Sequence, residues 1–276
     1  MAAGPAARRL RMRARPGSAR RAWAALCLGL LGGLALVCGP TAAQTGPGGI
    51  GHWPPGLADE IYSSEFTGPT NRYAHGVLGD EIEWSGLSLR FSGRNGEARG
   101  FRTALPGDHV FEDLQPRLVD LTLDGRPNAV MVVETDVNLG AALALYGAEG
   151  KIAETPHIGQ SHRWLAPIGA ADLDGDGHVE IAYIDRPHLA RILRIWRFRD
   201  GKLTEVASAP GLTNHRIGQD FITSGIRDCG QGPELVTVSS DWRRIMASRL
   251  QDGEISTRDT GPFRPGTGVQ DALACR

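Results

Sequence analysis

The sequence predicts an all-β chain, a β-propeller of about four four-stranded blades. Three observations predict it. An acidic turn followed by a β-branched run recurs in the same frame 52 positions further on. Short apolar alternations are punctuated by Gly, Asp and Asn turns. Almost no segment keeps helical periodicity over enough length to form a helix. A unit of roughly 50 residues that repeats at a fixed period cannot bury its faces alone and packs against its neighbours around an axis. An open β-sandwich or jelly roll is the competing all-β architecture, and the fixed repeat argues against it.

The N-terminus stands apart from this pattern. Arg8, Arg9, Arg11, Arg13, Arg15, Arg20 and Arg21 form a basic run without an acid, followed by an apolar stretch from Ala22 to Val37 and the small residues Thr41, Ala42 and Ala43. Basic, apolar, small is the order of a secretory signal peptide, so residues 1–43 are expected to be removed. The apolar stretch is shorter than the roughly 20 residues of a spanning helix, so no stable membrane span is expected once the signal is gone. Arg20 and Arg21 raise the twin-arginine export route beside the general one. Loss of seven arginines lowers the 30 basic residues to 23 against 31 acidic ones, taking the net charge from −1 to −8. That acidity argues against nucleic acid as a partner and suits a cation. Cys27 and Cys38 leave with the signal, so Cys229 and Cys275 are expected to form one disulfide in a periplasmic or extracellular compartment.

Residues 44–58 are too rich in Gly and Pro to hold an element and are expected to be a linker. Their Gly46, Gly48 and Gly51 match a dinucleotide fingerprint formally, but no strand precedes them and no helix follows. The propeller is expected over residues 59–276. Residues 120–130 (DLTLDGRPNAV) and 172–182 (DLDGDGHVEIA) share one frame, and alternating strands follow each, from Ala141 to Tyr146 and from Ile192 to Phe198. Residues 232–238 (GPELVTV) are a third, eroded copy, with Ile226 at the first loop position. A first copy runs from Tyr73 to Leu105, read as separate strands Asp80 to Trp84, Leu87 to Phe91 and Ala98 to Leu105. Ile61 to Phe66 is expected to close the ring with the C-terminal blade.

The strongest chemical signal is the loop Asp172, Asp174, Asp176, Gly177, Glu180. Calcium takes six to eight oxygens at about 2.3–2.6 Å. Three carboxylates at alternating positions converge only if the loop turns tightly, which Gly175 and Gly177 allow. Asp172, Asp174 and Asp176, the carbonyl of His178 and the carboxylate of Glu180 are the expected ligands. An EF-hand is excluded, since its twelfth position needs Glu and Tyr183 stands there. The Asp120 loop has Thr122 and Asn128 in place of two acids, leaving weak binding open.

Residues 172–185 (DLDGDGHVEIAYID) resemble an FG-GAP or VCBS repeat, the module of integrin-α-like propellers, and the similarity extends with decay over residues 70–260. The chain also resembles small exported bacterial VCBS-repeat proteins. The resemblance implies a calcium ion between the first two strands of a blade and ligands on the opposite face. The repeat frame gathers on that face Arg72, His75, Glu134, Asp136, His162, Arg163, Trp164, Asp185, Arg186, His188, His215, Arg216 and Asp241. A protein, peptide or glycan ligand is expected there. No nucleophile elbow, zinc-helix motif or phosphate loop is present. The expectation is therefore a non-catalytic binding or scaffold module. The alternative is a calcium-dependent glycan hydrolase or lyase using Glu134, Asp136 or Asp185 with His162 or His188.

Overall fold

A computed structural model of the chain describes residues 57–93 and 95–276. The expected signal peptide, and the linker up to residue 56, lie outside the described residues. The elements run β1 (Glu60–Thr70), β2 (Glu83–Ser92), β3 (Ala98–Ala104), β4 (His109–Phe111), β5 (Arg117–Val119), β6 (Ala129–Asp136), β7 (Gly140–Gly147), β8 (Gly150–Glu154), β9 (Leu165–Ala171), β10 (Val179–Asp185), β11 (Ile192–Arg199), β12 (Lys202–Pro210), β13 (Leu212–Thr213), β14 (Gly225–Asp228), β15 (Pro233–Ser239), β16 (Arg244–Gln251), β17 (Glu254–Pro262) and the short helix α1 (Gly268–Leu273). The described chain is thus all-β apart from α1.

Every pairing is antiparallel, in three sheets. The first has eight strands in the order β1-β2-β4-β6-β7-β8, with β3 beside β2 and β5 beside β6. The second is β12-β11-β10-β9, and the third is β13-β15-β16-β17 with β14 beside β15. Within them the sequence repeat becomes one motif built three times, an up-and-down meander of four strands: β5 to β8, β9 to β12 and β14 to β17. The copies share detail. In each, the register between third and fourth strands slips at one point, between Leu145 and Tyr146, Ile195 and Trp196, and Ile245 and Met246. Two of the third-to-fourth turns, Asp200-Gly201 and Asp252-Gly253, put both residues at positive φ, the hairpin geometry that Asp-Gly favours.

The first copy departs from expectation. The segments read as two strands on either side of Gly86 are the single strand β2. A Cβ on Gly86 would lie 2.5 Å from Thr67 Oγ1 and 3.0 Å from Thr103 O, so the glycine admits close approach of β1 and β3 rather than breaking the strand. β1 pairs along β2 from Glu60 to Thr70 and does not join the C-terminal sheet. The N-terminal strands therefore extend the sheet of the next unit instead of forming a separate blade.

Strand alternation sorts the core. On β6, Met131 and Val133 pack with β7, β9 and β10 side chains, while Val130 and Val132 face Leu87, Leu89 and Phe111. Because both faces are covered, β6 reads as an unbroken apolar run, as fully buried strands do. A third cluster joins Ala182, Ile184 and Ile195 to Leu212 and Leu235, and a fourth seats α1 on Val236, Val238 and Ile245. Cys229 and Cys275 form the expected disulfide, with Cα atoms 5.8 Å apart, which fastens the segment after α1 to the turn after β14.

Candidate functional site

Two sites occupy opposite ends of β10, about 20 Å apart at some 3.3 Å per residue. At its start lies the acidic loop. Gly175 and Gly177 take φ of 79° and 82°, folding the loop so that Asp172 accepts the amides of Gly175 (2.8 Å) and Gly177 (3.0 Å). Asp174 accepts the amide of Asp176, and Asp176 that of His178. One carboxylate oxygen from each of Asp172, Asp174 and Asp176 lies within 4.8 Å of the others.

Glu180 is not brought into that triad. It is fully buried, and its Oε2 accepts the amide of Leu173 at 2.8 Å. Its Oε1 accepts Nε of Arg197 at 2.6 Å, from the residue opposite it on β11. The same guanidinium reaches Asp174 and, at 3.0 Å, Asp176. Burial pushes the Glu180 carboxyl up, and Arg197 opposes the push. The loop thus gathers three carboxylate oxygens, the donor type calcium takes but fewer than its six to eight, with a guanidinium already balancing part of their charge.

The other copies explain Glu180. Asn128 accepts the amide of Leu121 at 2.9 Å, as Glu180 does that of Leu173, and Asp120 accepts the amide of Gly125 as Asp172 does that of Gly177. In the third copy Asp228, not Ile226, holds the first position and accepts the amides of Gly230, Gln231 and Gly232. The loop is shorter there, because Arg227 pairs with Glu234 where Ala171 pairs with Glu180. Burial works against the charge of Glu234, but Arg258, Arg227 and Arg249 override it and hold the carboxyl down to about 2. A buried acceptor at the start of the second strand, tied to the first strand or its loop, is thus the shared device.

At the far end of β10 lies a cleft of about 280 Å³, lined by His75, Val77, His162, Arg163, Trp164, Arg186, His188, Leu189 and Ile217. His75 Nδ1 meets the buried carboxylate of Glu112, whose other oxygen accepts from Thr135. Burial pushes Glu112 up, and the imidazole of His75 pulls it back. Trp164 donates its indole N–H to the carbonyl of Glu112 at 2.8 Å. Tyr73 stacks on His162 with ring centres 4.8 Å apart and accepts the amide of His162. On the opposite wall His188 lies parallel to Trp164, and His215 packs edge-on against the same indole.

The tautomers on that wall follow from their partners. His215 Nε2 faces the carbonyl of Gln219, which can only accept, so Nε2 carries the proton. Burial lowers His215, and burial, with repulsion from a proton on His215 or His75 and from Arg191, takes His188 down to about 4. Both rings are therefore neutral near pH 7. His188 Nε2 donates to His215 Nδ1 at 3.0 Å, which leaves His188 Nδ1 with a lone pair. His162 and Arg186 in the cleft lining, and Ala74 beside His75, hold φ of 54°, 44° and 48°, a conformation L-residues avoid.

Of the residues predicted for this face, His75, His162, Arg163, Trp164, Arg186 and His188 line the cleft, and His215 backs it. The others go elsewhere. Glu134 shares the face of β6 with Val130 and Val132, so it points into the core, where it takes the hydroxyl of Tyr146 (2.6 Å) and Lys151 (2.9 Å). Asp136 caps the turn at Asn138 and Leu139. Asp185 is buried between Arg186 and Arg194. Asp241 orders its own turn through Ser239 and Arg243, and Arg72 is exposed beyond β1. Arg216 lies 4.3 Å over the Trp242 ring, in a neighbouring cleft. The carboxylate and histidine pairs foreseen for hydrolysis are not formed, whereas Glu112 with His75 is. Sequence reasoning missed Arg197, whose signal was the Glu and Arg pair that returns as Glu234 and Arg249, and Val77 and Ile217, which lie outside the repeat frame.

Fold and site together define a protein of repeated antiparallel meanders, with an acidic turn at one end of a central strand and a histidine-rich cleft at the other. No family model matches the chain, and no curated protein or solved structure matches it.

Proposed function

We propose that the chain is an exported, non-catalytic binding module of the FG-GAP/VCBS type, whose ligand seats in the histidine-lined cleft. The observation that carries this is the convergence of six predicted loop residues on one cleft, two of which, His162 and Arg186, hold left-handed backbone. In this reading the three meanders are propeller blades, and β1 to β3 do the work of a fourth. The acidic loop at the far end takes calcium on Asp172, Asp174 and Asp176, with Arg197 giving way. The ion supplies stiffness to the loop, and no step at the cleft runs through it. The disulfide is compatible with export, and among the described residues no helix is long and apolar enough to cross a membrane.

The test is to present residues 44–276 to glycan and peptide arrays beside a His75→Ala/His188→Ala double variant, with circular dichroism confirming that both fold. Ligands held by the wild type and lost by the variant support the reading. Ligands held equally by both would place the site elsewhere. The pairing of His75 with Glu112 favours a second reading, hydrolysis with His75 as proton acceptor. Product release from a polysaccharide by wild type and not by His75→Gln would replace the first reading with that one.

A further inference from the structure

We infer that the cleft takes a small hydroxy acid, its carboxylate on Arg163 and its hydroxyls on the imidazoles of His75, His162 and His188. The inference rests on the cleft being the ligand site and adds the chemistry of what enters it.

Charge gives the first argument. Residues 44–276 hold 23 basic against 31 acidic side chains, yet the acids near the cleft are spent: Glu112 on His75 and Thr135, Asp185 on Arg186 and Arg194. Arg163 donates to the carbonyl of His162 and pairs with no carboxylate among the described residues. A half-buried guanidinium at the cleft with no counter-ion offers a ligand carboxylate a partner of matching planar geometry.

The free nitrogens give the second. His75 Nε2, His162 Nε2 and His188 Nδ1 make no hydrogen bond within the described residues, while the other nitrogen of each ring is held by Glu112, Ser161 or His215. Rings fixed at one nitrogen and free at the other suit either a metal or a hydroxyl-bearing ligand. Two observations decide against the metal. The three free ring nitrogens are not all within 4.8 Å of one another, since the acidic loop is the sole group of three ligand atoms that close among the described residues. The surrounding arginines also repel a cation.

Size and shape give the third. A volume of about 280 Å³ accommodates a small molecule such as a six-carbon acid. Trp164 is 2% exposed beneath His188, so no broad aromatic platform is offered to the face of a sugar. Recognition falls on the polar groups, with Leu189 and Ile217 as an apolar rim.

The experiment is calorimetric titration of residues 44–276 with D-glucuronate, D-glucose and acetate, on the wild type, Arg163→Gln and Arg163→Lys. Glucuronate is expected to bind about tenfold or more tightly than either other probe, as one charge-assisted pair implies. Arg163→Gln should erase the margin over glucose, and Arg163→Lys should restore part of it. Equal binding of glucose and glucuronate overturns the acid; equal binding of acetate overturns the hydroxyls; no binding of glucuronate, or binding unchanged in Arg163→Gln, overturns both. An array ligand that needs His75 and His188 but carries no acid would leave the cleft as the site while removing this inference.

Discussion

Replacing Arg197 by glutamine separates the two roles that the acidic loop assigns to one guanidinium. Arg197 is the charge partner of Glu180, which has no exposed surface, and it also neutralises Asp174 and Asp176. Breaking a buried pair costs about 3–5 kcal/mol when the remaining charge is trapped. Here the guanidinium is 23% exposed and Glu180 can take up a proton, so the expected loss is about 2 kcal/mol, or roughly 6 °C in melting temperature for a domain of this size. Calcium should act in the opposite sense. Without the guanidinium the triad faces the ion with its charge uncompensated, and removing one positive charge a few ångströms away should tighten binding by about tenfold. Scanning calorimetry of wild type and Arg197→Gln, each with calcium and with chelator, reads both effects. The variant should melt lower in chelator and gain more from calcium than the wild type does. A variant as stable as wild type in chelator would show that the Glu180 pair carries no stability. A calcium increment no larger than the wild type's would refute competition between guanidinium and ion.

Glu234 should make the fold acid-sensitive. Its carboxyl is lowered from 4.5 to about 2 in the folded state, so its contribution is present above about 4.5 and lost as pH falls towards 2. Urea unfolding from pH 6 to 2.5 should lose about 2 kcal/mol that Glu234→Gln does not lose; parallel curves would count against it. Reducing the Cys229–Cys275 bond, which closes a separation of 46 residues, should cost about 4 kcal/mol in the chain-entropy model, and an unchanged urea midpoint under reductant would show that the bond constrains little. Gly86→Val should lose about 2 kcal/mol or more, because its side chain meets Thr67 and the Thr103 carbonyl; a stability equal to wild type would mean that β1 and β3 can separate there at no cost.

What could be read from the sequence was mostly local. The acidic turns were legible because Asp caps and left-handed Gly are set within a few residues, as Asp172 shows with Gly175 and Gly177. The meanders were legible because the turns recur with them. Gly86 misled because close approach of two other strands is a long-range fact that looks the same in sequence as a break. Glu134 and Asp185 misled for a related reason: a carboxylate at a strand end reads as a loop group until the side of the strand and the partner, Tyr146 or Arg194, are known. The histidines of the cleft were found because the repeat frame brings the ends of successive strands together. The wall made by Val77 and Ile217 was not, because the Gly218 amide reaches the Val77 carbonyl across more than half the chain.

The register slips between third and fourth strands bear on how three near-copies in one chain avoid trading partners. β8, β12 and β17 end their sheets, and β12 lies against both of the others without being hydrogen-bonded to either. Neighbouring units of similar sequence with open edges are candidates for strand exchange within a molecule and for polymerisation between molecules. Each outer strand carries the same dislocation, an extra residue at Ile152, Val206 or Thr260, and charged residues such as Lys151, Glu205 and Arg258. A foreign strand would have to match both the offset and the charge. The slip thus acts as a lock on identity, keeping duplicated parts of one polypeptide from mistaking each other for kin.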